Sequence, residues 1–207
     1  MFITFEGGEG AGKSTAIKRI KETLEKEGRE VILTREPGGT PISEEIRNVI
    51  LDQKNVDMDK RTEALLYAAA RRQHIVQRII PALKEGKTVL CDRFLDSSLA
   101  YQGYARDIGI EEVFEMNQFA TEGLEPDLTF FFDLDPEKGL ERIAQNANRE
   151  VNRLDLEKLS FHTKVREGFY KLAKKFDYRF VIIDASKSPE EVFSDCYKAI
   201  EEHLRMR

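Results

Sequence analysis

Short apolar runs alternate along the chain with longer stretches whose apolar residues return every three or four positions. Five runs have strand character: residues 1–5, 30–34, 88–92, 127–134 and 179–184. The fourth contains Leu128-Thr129-Phe130-Phe131-Phe132, an apolar sequence suited to a strand buried on both faces. Between the runs, helical periodicity predicts helices over 14–27, 41–51, 60–84, 99–104, 110–121, 136–145, 155–176 and 189–204. Pro41 suits a first helical position, with Ile42, Ile46, Val49 and Ile50 sharing a face. Pro81 predicts a kink or break near the end of 60–84. Residues 93–98 read as a loop, and 146–153 lack either period and read as a mobile segment. Strictly alternating strands and helices predict an α/β fold, with a mainly parallel five-stranded sheet covered by helices on both faces. There is no repeat, low-complexity tract or composition break, so residues 1–207 are expected to form a single domain.

The bulk composition narrows the partners more than the fold. A net charge of −5 lacks the basic footprint expected of a nucleic-acid or anionic-membrane binder. No apolar run reaches transmembrane length, and the amino-terminal run stops at Glu6 without signal-peptide features. The two cysteines, Cys91 and Cys196, are far apart, which suits thiols packed as small hydrophobes in a reducing, cytoplasmic compartment.

The first strand breaks into Gly7-Gly8-Glu9-Gly10-Ala11-Gly12-Lys13-Ser14-Thr15, and a helical period follows at once. This is G-x-x-x-x-G-K-[ST] between a strand and a helix, the context that a P-loop requires. Glycines let backbone N–H groups approach phosphate oxygens, and the helix terminus adds a positive dipole end. Lys13 supplies a point charge for the β- and γ-phosphates, and Ser14 a hydroxyl for Mg²⁺. The expected fold is therefore of the P-loop NTPase class, binding a nucleoside triphosphate.

Ligands in open α/β sheets gather beyond the carboxyl ends of strands, where this chain carries Glu6-Gly7, Arg35-Glu36 and Asp92-Arg93. A lone strand-end Asp is usually a solvated acid or a helix cap. Beside a P-loop, Asp92 suits Mg²⁺ and Arg93 suits a guanidinium spanning phosphates. Neither N-K-x-D nor D-x-x-G occurs, which argues against a GTPase. Arginines spread over several loops fit a small-molecule kinase that must neutralise two phosphorylated substrates. Tyr67 and Arg71 lie one helical turn apart, as do Ser98 and Gln102, with Tyr101 between the latter pair. An aromatic ring beside a fork of donors can stack and hydrogen-bond a base, and a glutamine amide offers both a donor and an acceptor. On such helix faces the commoner outcome is a core Tyr67 and a solvated Arg71, so these pairs carry weight only beside other evidence.

Five segments taken together resemble the bacterial thymidylate kinase family: FITFEGGEGAGKS at 2–14, TREPGG at 34–39, RTEALLYAAARR at 61–72, VLCDRFLDSSLAYQG at 89–103 and PDLTFFFDLDPEKGLER at 126–142. The resemblance spans essentially the whole chain. It implies transfer of the γ-phosphoryl group of ATP to the 5′-phosphate of dTMP, with Mg²⁺, in dTTP biosynthesis by de novo and salvage routes. It also implies a homodimer built through helices flanking the acceptor site.

Residue by residue, the same likeness implies that Glu9 bonds the deoxyribose 3′-hydroxyl and that Arg47 and Arg93 hold the acceptor phosphate. Tyr67, at a position usually Phe, would stack on thymine, and Arg71 would bond O4. Ser98 and Gln102 would read the N3 edge, Tyr101 would exclude a ribose 2′-hydroxyl, and Glu36 would lie near the metal and the acceptor phosphate. The P-loop contains no arginine, whereas the expected lid at 142–153 carries Arg142, Arg149 and Arg153. That pattern resembles the family style in which the lid supplies the catalytic arginine, Arg149 first and Arg153 second. Two alternatives stand beside this reading: another P-loop nucleotide kinase, for dUMP, CMP or a deoxynucleoside, or a nucleotide-binding regulatory module without transfer activity.

Overall fold

Alternating side chains on the strands feed two apolar cores, one on each face of the sheet. The computed structural model describes residues 1–145 and 153–205. Its strands are β1 (Phe2–Gly7), β2 (Val31–Arg35), β3 (Thr88–Asp92), β4 (Leu128–Asp133) and β5 (Phe180–Asp184). They lie in the order β2-β3-β1-β4-β5 with every pair parallel. Phe2, Val89, Cys91 and Phe131 point into one core, and Ile3, Phe5, Leu90, Phe130 and Phe132 into the other. Both faces of the central strands are thus covered, which is why their sequences read as continuous apolar runs.

Helix α1 (Lys13–Lys26) packs on the second core beside α9 (Pro189–Arg205). The first core is covered by elements that follow β2, β3 and β4. Its buried helical residues include those of α4 (Ile80–Lys84), α5 (Leu95–Ser98), α6 (Ile110–Thr121) and α8 (Leu159–Lys175), while α2 (Pro41–Leu51) packs on α3 (Lys60–His74) and α7 (Pro136–Ala144) lies near the P-loop. Successive connections from β1 and β3 therefore leave toward opposite faces, and a crevice opens between the carboxyl ends of these neighbouring strands. Among the described residues, no helix is long and apolar enough to cross a membrane.

Several boundaries differ from the expectations in physically legible ways. The 60–84 helix is continuous but passes through a π-helical turn, Ile75–Ile79, just ahead of Pro81. That wider turn accommodates the missing N–H and bulky ring of proline without breaking the rod. The expected loop at 93–98 holds the short helix α5, which runs into a second π-helical segment, Leu99–Ala105, in place of the regular helix expected over 99–104. The helix expected from residue 155 begins as a 3₁₀ turn, Arg153–Leu156, and α8 starts at Leu159. Most of the segment expected to be mobile, residues 146–152, lies outside the described residues.

Candidate active site

Beyond β1 the chain turns through residues 8–12 onto the first turn of α1. Gly10 and Gly12 have φ of +69° and +83°, a region that side chains with a Cβ rarely occupy. A Cβ on Gly10 would also collide with the Gly139 backbone of α7. Gly12 is the N-cap, no side chain caps the helix, and its first turn holds no acidic residue. The terminal N–H groups of α1 are thereby left for an anion. Ala11 is buried, while Ser14 and Thr15 are exposed at the helix mouth. Lys13 folds back over the loop, and its Nζ donates to Gly8 O at 2.8 Å and Gly7 O at 3.1 Å. Burial, then the Arg93 charge, lowers its pKa to about 8.

Ser14 Oγ donates to Asp92 Oδ2 at 3.4 Å. A hydroxyl beside a carboxylate is the hard oxygen chemistry that Mg²⁺ takes when phosphate and water complete its shell. This pair fits that ion.

Arg93 follows β3 with φ of +68°, a conformation costing about 1–3 kcal/mol for a residue with a side chain. Its surroundings over-determine it. The backbone N–H donates to Phe5 O at 3.0 Å, Nη1 donates to Gly7 O at 2.8 Å and Ser97 Oγ at 3.2 Å, and Nη2 donates to Glu9 Oε1 at 2.6 Å. The guanidinium also lies 5.3 Å from the Tyr101 ring centroid. Behind it, the fully buried Glu6 accepts the Phe94 N–H at 2.8 Å and the Ser97 hydroxyl at 2.5 Å. Burial, then the Asp96 charge, raises the Glu6 pKa to about 8.

Next to the P-loop opens a cleft of about 300 Å³, the lower end of the range for small-molecule sites. Glu9, Ser14, Glu36, Arg47, Tyr67, Arg71, Asp92, Arg93, Ser98, Tyr101 and Gln102 all line it. Arg71 is 2% exposed and is not the solvated residue its helix face alone suggests. Its Nε donates to Glu36 Oε2 at 2.8 Å, Nη1 to Asn117 Oδ1 at 2.5 Å, and Nη2 to Phe94 O and Ser98 Oγ, both at 3.1 Å. Glu36 also contacts His74 Nδ1 at 2.9 Å, and His74 Nε2 contacts Thr34 Oγ1 at 2.6 Å. Arg47 reaches in from α2 and donates to Pro37 O at 3.2 Å. Tyr67 is half-buried one turn before Arg71, and burial, then the Glu63 charge, raises its phenol pKa. The Leu99–Ala105 segment presents both Tyr101 and Gln102 to the cleft. Its wide turn narrows the angle between consecutive side chains.

The candidate lid arginines separate. Arg142 Nη1 donates to Ala185 O at 3.3 Å and Gly10 O at 3.4 Å, beside the P-loop. Arg153 is buried and does not line the cleft; its Nε donates to Ile50 O at 2.9 Å and its Nη2 donates to Glu63. The structure therefore does not bring Arg153 to the phosphate loop. Arg149 lies outside the described residues.

Glu6, one of the strand-end residues picked out by the sequence, stands behind Arg93. Sequence reasoning missed the other groups behind the lining residues: Ser97 behind Arg93, Asn117 and His74 around the Arg71–Glu36 pair, and Glu63 behind Gln102. A signal existed for Glu63, since residues 63, 67 and 71 form one stripe at four-residue spacing on α3. None existed for Asn117, which meets Arg71 from a separate helix.

The family profile described as thymidylate kinase matches residues 5–196. A thymidylate kinase of Geobacillus sp. (strain WCH70) is 57% identical over 206 residues, covering 100% of this chain and 98% of that protein. One from Bacillus velezensis is 59% identical over 205 residues, covering 99% and 97%. The crystal structure of thymidylate kinase from Ehrlichia chaffeensis aligns with a TM-score of 0.79 at 35% identity, covering 97% of this chain and 98% of that one. With full-length identity of this order and a phosphate loop opening onto an arginine-lined cleft, the chain belongs to the thymidylate kinase family.

Proposed function

We propose that this protein transfers the γ-phosphoryl group of ATP to the 5′-phosphate of dTMP, forming dTDP. The observation that carries the reading is the single cleft joining the Ser14–Asp92 pair and Arg93 to Tyr67, Arg71, Ser98 and Gln102. In it, a charged phosphate end and a base-sized aromatic end meet beside the P-loop. The family membership supports the same conclusion.

In this mechanism the P-loop amides and Lys13 hold the donor phosphates. Arg93 and Arg47 hold the acceptor phosphate and offset its repulsion from the donor. Both reactants are anions, and the acceptor oxygen is already deprotonated. Positioning and charge neutralisation therefore supply the rate, and no side chain needs to act as a strong base. Mg²⁺, held by Ser14 and Asp92, would supply additional neutralisation at the phosphate oxygens. Glu9, now paired with Arg93, would receive the 3′-hydroxyl, and Tyr101 would close the space that a 2′-hydroxyl needs. Tyr67 would stack on the base, Arg71 would donate to O4, and Ser98 and Gln102 would meet N3. Glu36 would orient Arg71 from below. We read residues 142–153 as a lid on one functional unit, with Arg142 steadying the P-loop and Arg149 completing the donor side.

The assembly we propose is a homodimer through the outer faces of α3 and α6, where Leu65 and Phe119 stand 57% and 91% exposed. We assign the reaction to the cytoplasm, in keeping with two buried free thiols. The test is a coupled ADP-release assay with ATP-Mg²⁺ and a panel of nucleoside monophosphates. Turnover with dTMP far above dCMP and dGMP is expected. Preference for another monophosphate would make this a different nucleotide kinase, and no turnover with any would leave a regulatory module.

A further inference from the structure

Glu63 is 1% exposed and does not line the cleft, but it stands directly behind Gln102, which does. Its Oε1 accepts Gln102 Nε2–H at 2.8 Å. Both oxygens are also approached by Arg106 at 3.4 Å, and Oε2 accepts from Arg153 Nη2. Arg106 is itself braced by Glu157 at 2.6 Å and lies over the Phe161 ring at 4.4 Å. Two guanidiniums thus hold Glu63 as a carboxylate, which accepts hydrogen bonds and donates none.

A glutamine amide is nearly symmetric in shape, and its orientation is decided by its partners. Turning Gln102 over would set its carbonyl oxygen against the Glu63 carboxylate, with no proton between them. In a buried site such a contact is strongly unfavourable. Gln102 therefore keeps its –NH₂ toward Glu63 and its carbonyl oxygen for the cleft.

We propose that Glu63 is a positioning residue that sets the base selectivity of the cleft by holding the Gln102 carbonyl oxygen toward the ligand. The cleft then favours a Watson–Crick edge with an N–H at position 3, as in thymine, and disfavours one with a lone pair there, as in cytosine. This rests on the reading of the cleft as the acceptor-base site.

Glu63→Gln keeps the shape but offers Gln102 either a donor or an acceptor, so the amide is free to turn. The readout is the ratio of kcat/KM for dTMP to that for dCMP. It is expected to fall about tenfold or more, in line with the value of one hydrogen-bonding contact in substrate discrimination. Arg71 still faces the 4-position, so dTMP remains the better substrate. A second variant, the exchange Glu63→Gln with Gln102→Glu, keeps one carboxylate in the pair, accepts the amide N–H now at position 63 on one oxygen and again turns an acceptor toward the base. Its ratio is expected to return to within about threefold of the parent.

A merely structural Glu63 would lower both substrates alike. An unchanged ratio in soluble Glu63→Gln enzyme would overturn the proposal. Where that variant does not fold, loss of thymine preference in the exchanged pair would overturn it. If the parent enzyme itself lacks a preference for dTMP over dCMP, the proposed function falls, and this inference with it.

Discussion

Arg93 occupies a left-handed backbone position, and every contact around it aims the guanidinium at the junction of P-loop and cleft. In the proposed reaction such a residue serves transfer more than donor binding. In steady-state kinetics, Arg93→Ala is expected to lower kcat about 100-fold or more, the scale for losing one charge-stabilising donor, while ATP affinity measured by titration changes far less. Near-normal turnover would refute its role. Lys13 gives a pH dependence of definite sign. Its pKa in the free protein is lowered to about 8, and a bound triphosphate favours the charged ammonium and so raises it. Affinity for ATP is therefore intact well below pH 8 and is lost as pH rises through and above it. Titration calorimetry is expected to show binding roughly tenfold weaker at pH 9 than at pH 7. At this scale the sequence was legible where a motif fixed the placement, as for Lys13, Ser14 and Asp92 around the phosphate loop. It was silent where a role depends on groups brought in from elsewhere. The burial of Arg71 depends on Asn117 from α6 and on the Phe94 carbonyl after β3, neither of which any spacing on α3 announces.

Helix α7 lies against the P-loop so closely that Gly139 has no room for a side chain: a Cβ there would strike the Glu9 carbonyl. Backbone at both ends of this contact cannot yield as a flexible side chain would. Gly139→Ala is expected to cost about 1–3 kcal/mol of stability through overpacking. It is also expected to raise KM for ATP, because the loop that binds phosphate must shift. Thermal denaturation together with ATP-dependence kinetics checks both; an unchanged Tm and KM would mean that α7 moves freely relative to the loop. Element existence and order were readable from periodicity, since strands buried on both faces and amphipathic helices leave strong patterns. The π-helical turns at Ile75–Ile79 and Leu99–Ala105 were not. Their extra width is imposed by Pro81 in one case and serves the cleft in the other, and neither alters the apolar spacing enough to show.

Across the whole molecule, the sheet order puts the ends of β1 and β3 side by side while their connections diverge. The cleft is a consequence of topology before it is one of side chains. The α/β class and parallel sheet followed directly from the alternation of runs. The strand order did not, because any sequence of parallel crossovers satisfies the same pattern. The outward faces of α3 and α6 carry a different prediction. Phe119, 91% exposed, is an unusual side chain to leave in water and suits a self-complementary dimer surface. Sedimentation is expected to give a dimer for the parent and a monomer for Phe119→Glu. A monomeric parent at micromolar concentration would remove that surface from the account.

The claim on which the rest depends is direct transfer between two nucleotides in one cleft. It is tested most directly by incubating the enzyme with dTMP and ATP labelled in the γ-phosphoryl group and separating the products. Label is expected in dTDP in step with ADP formation. Label appearing only as inorganic phosphate, or remaining in ATP while dTMP is unchanged, would contradict it.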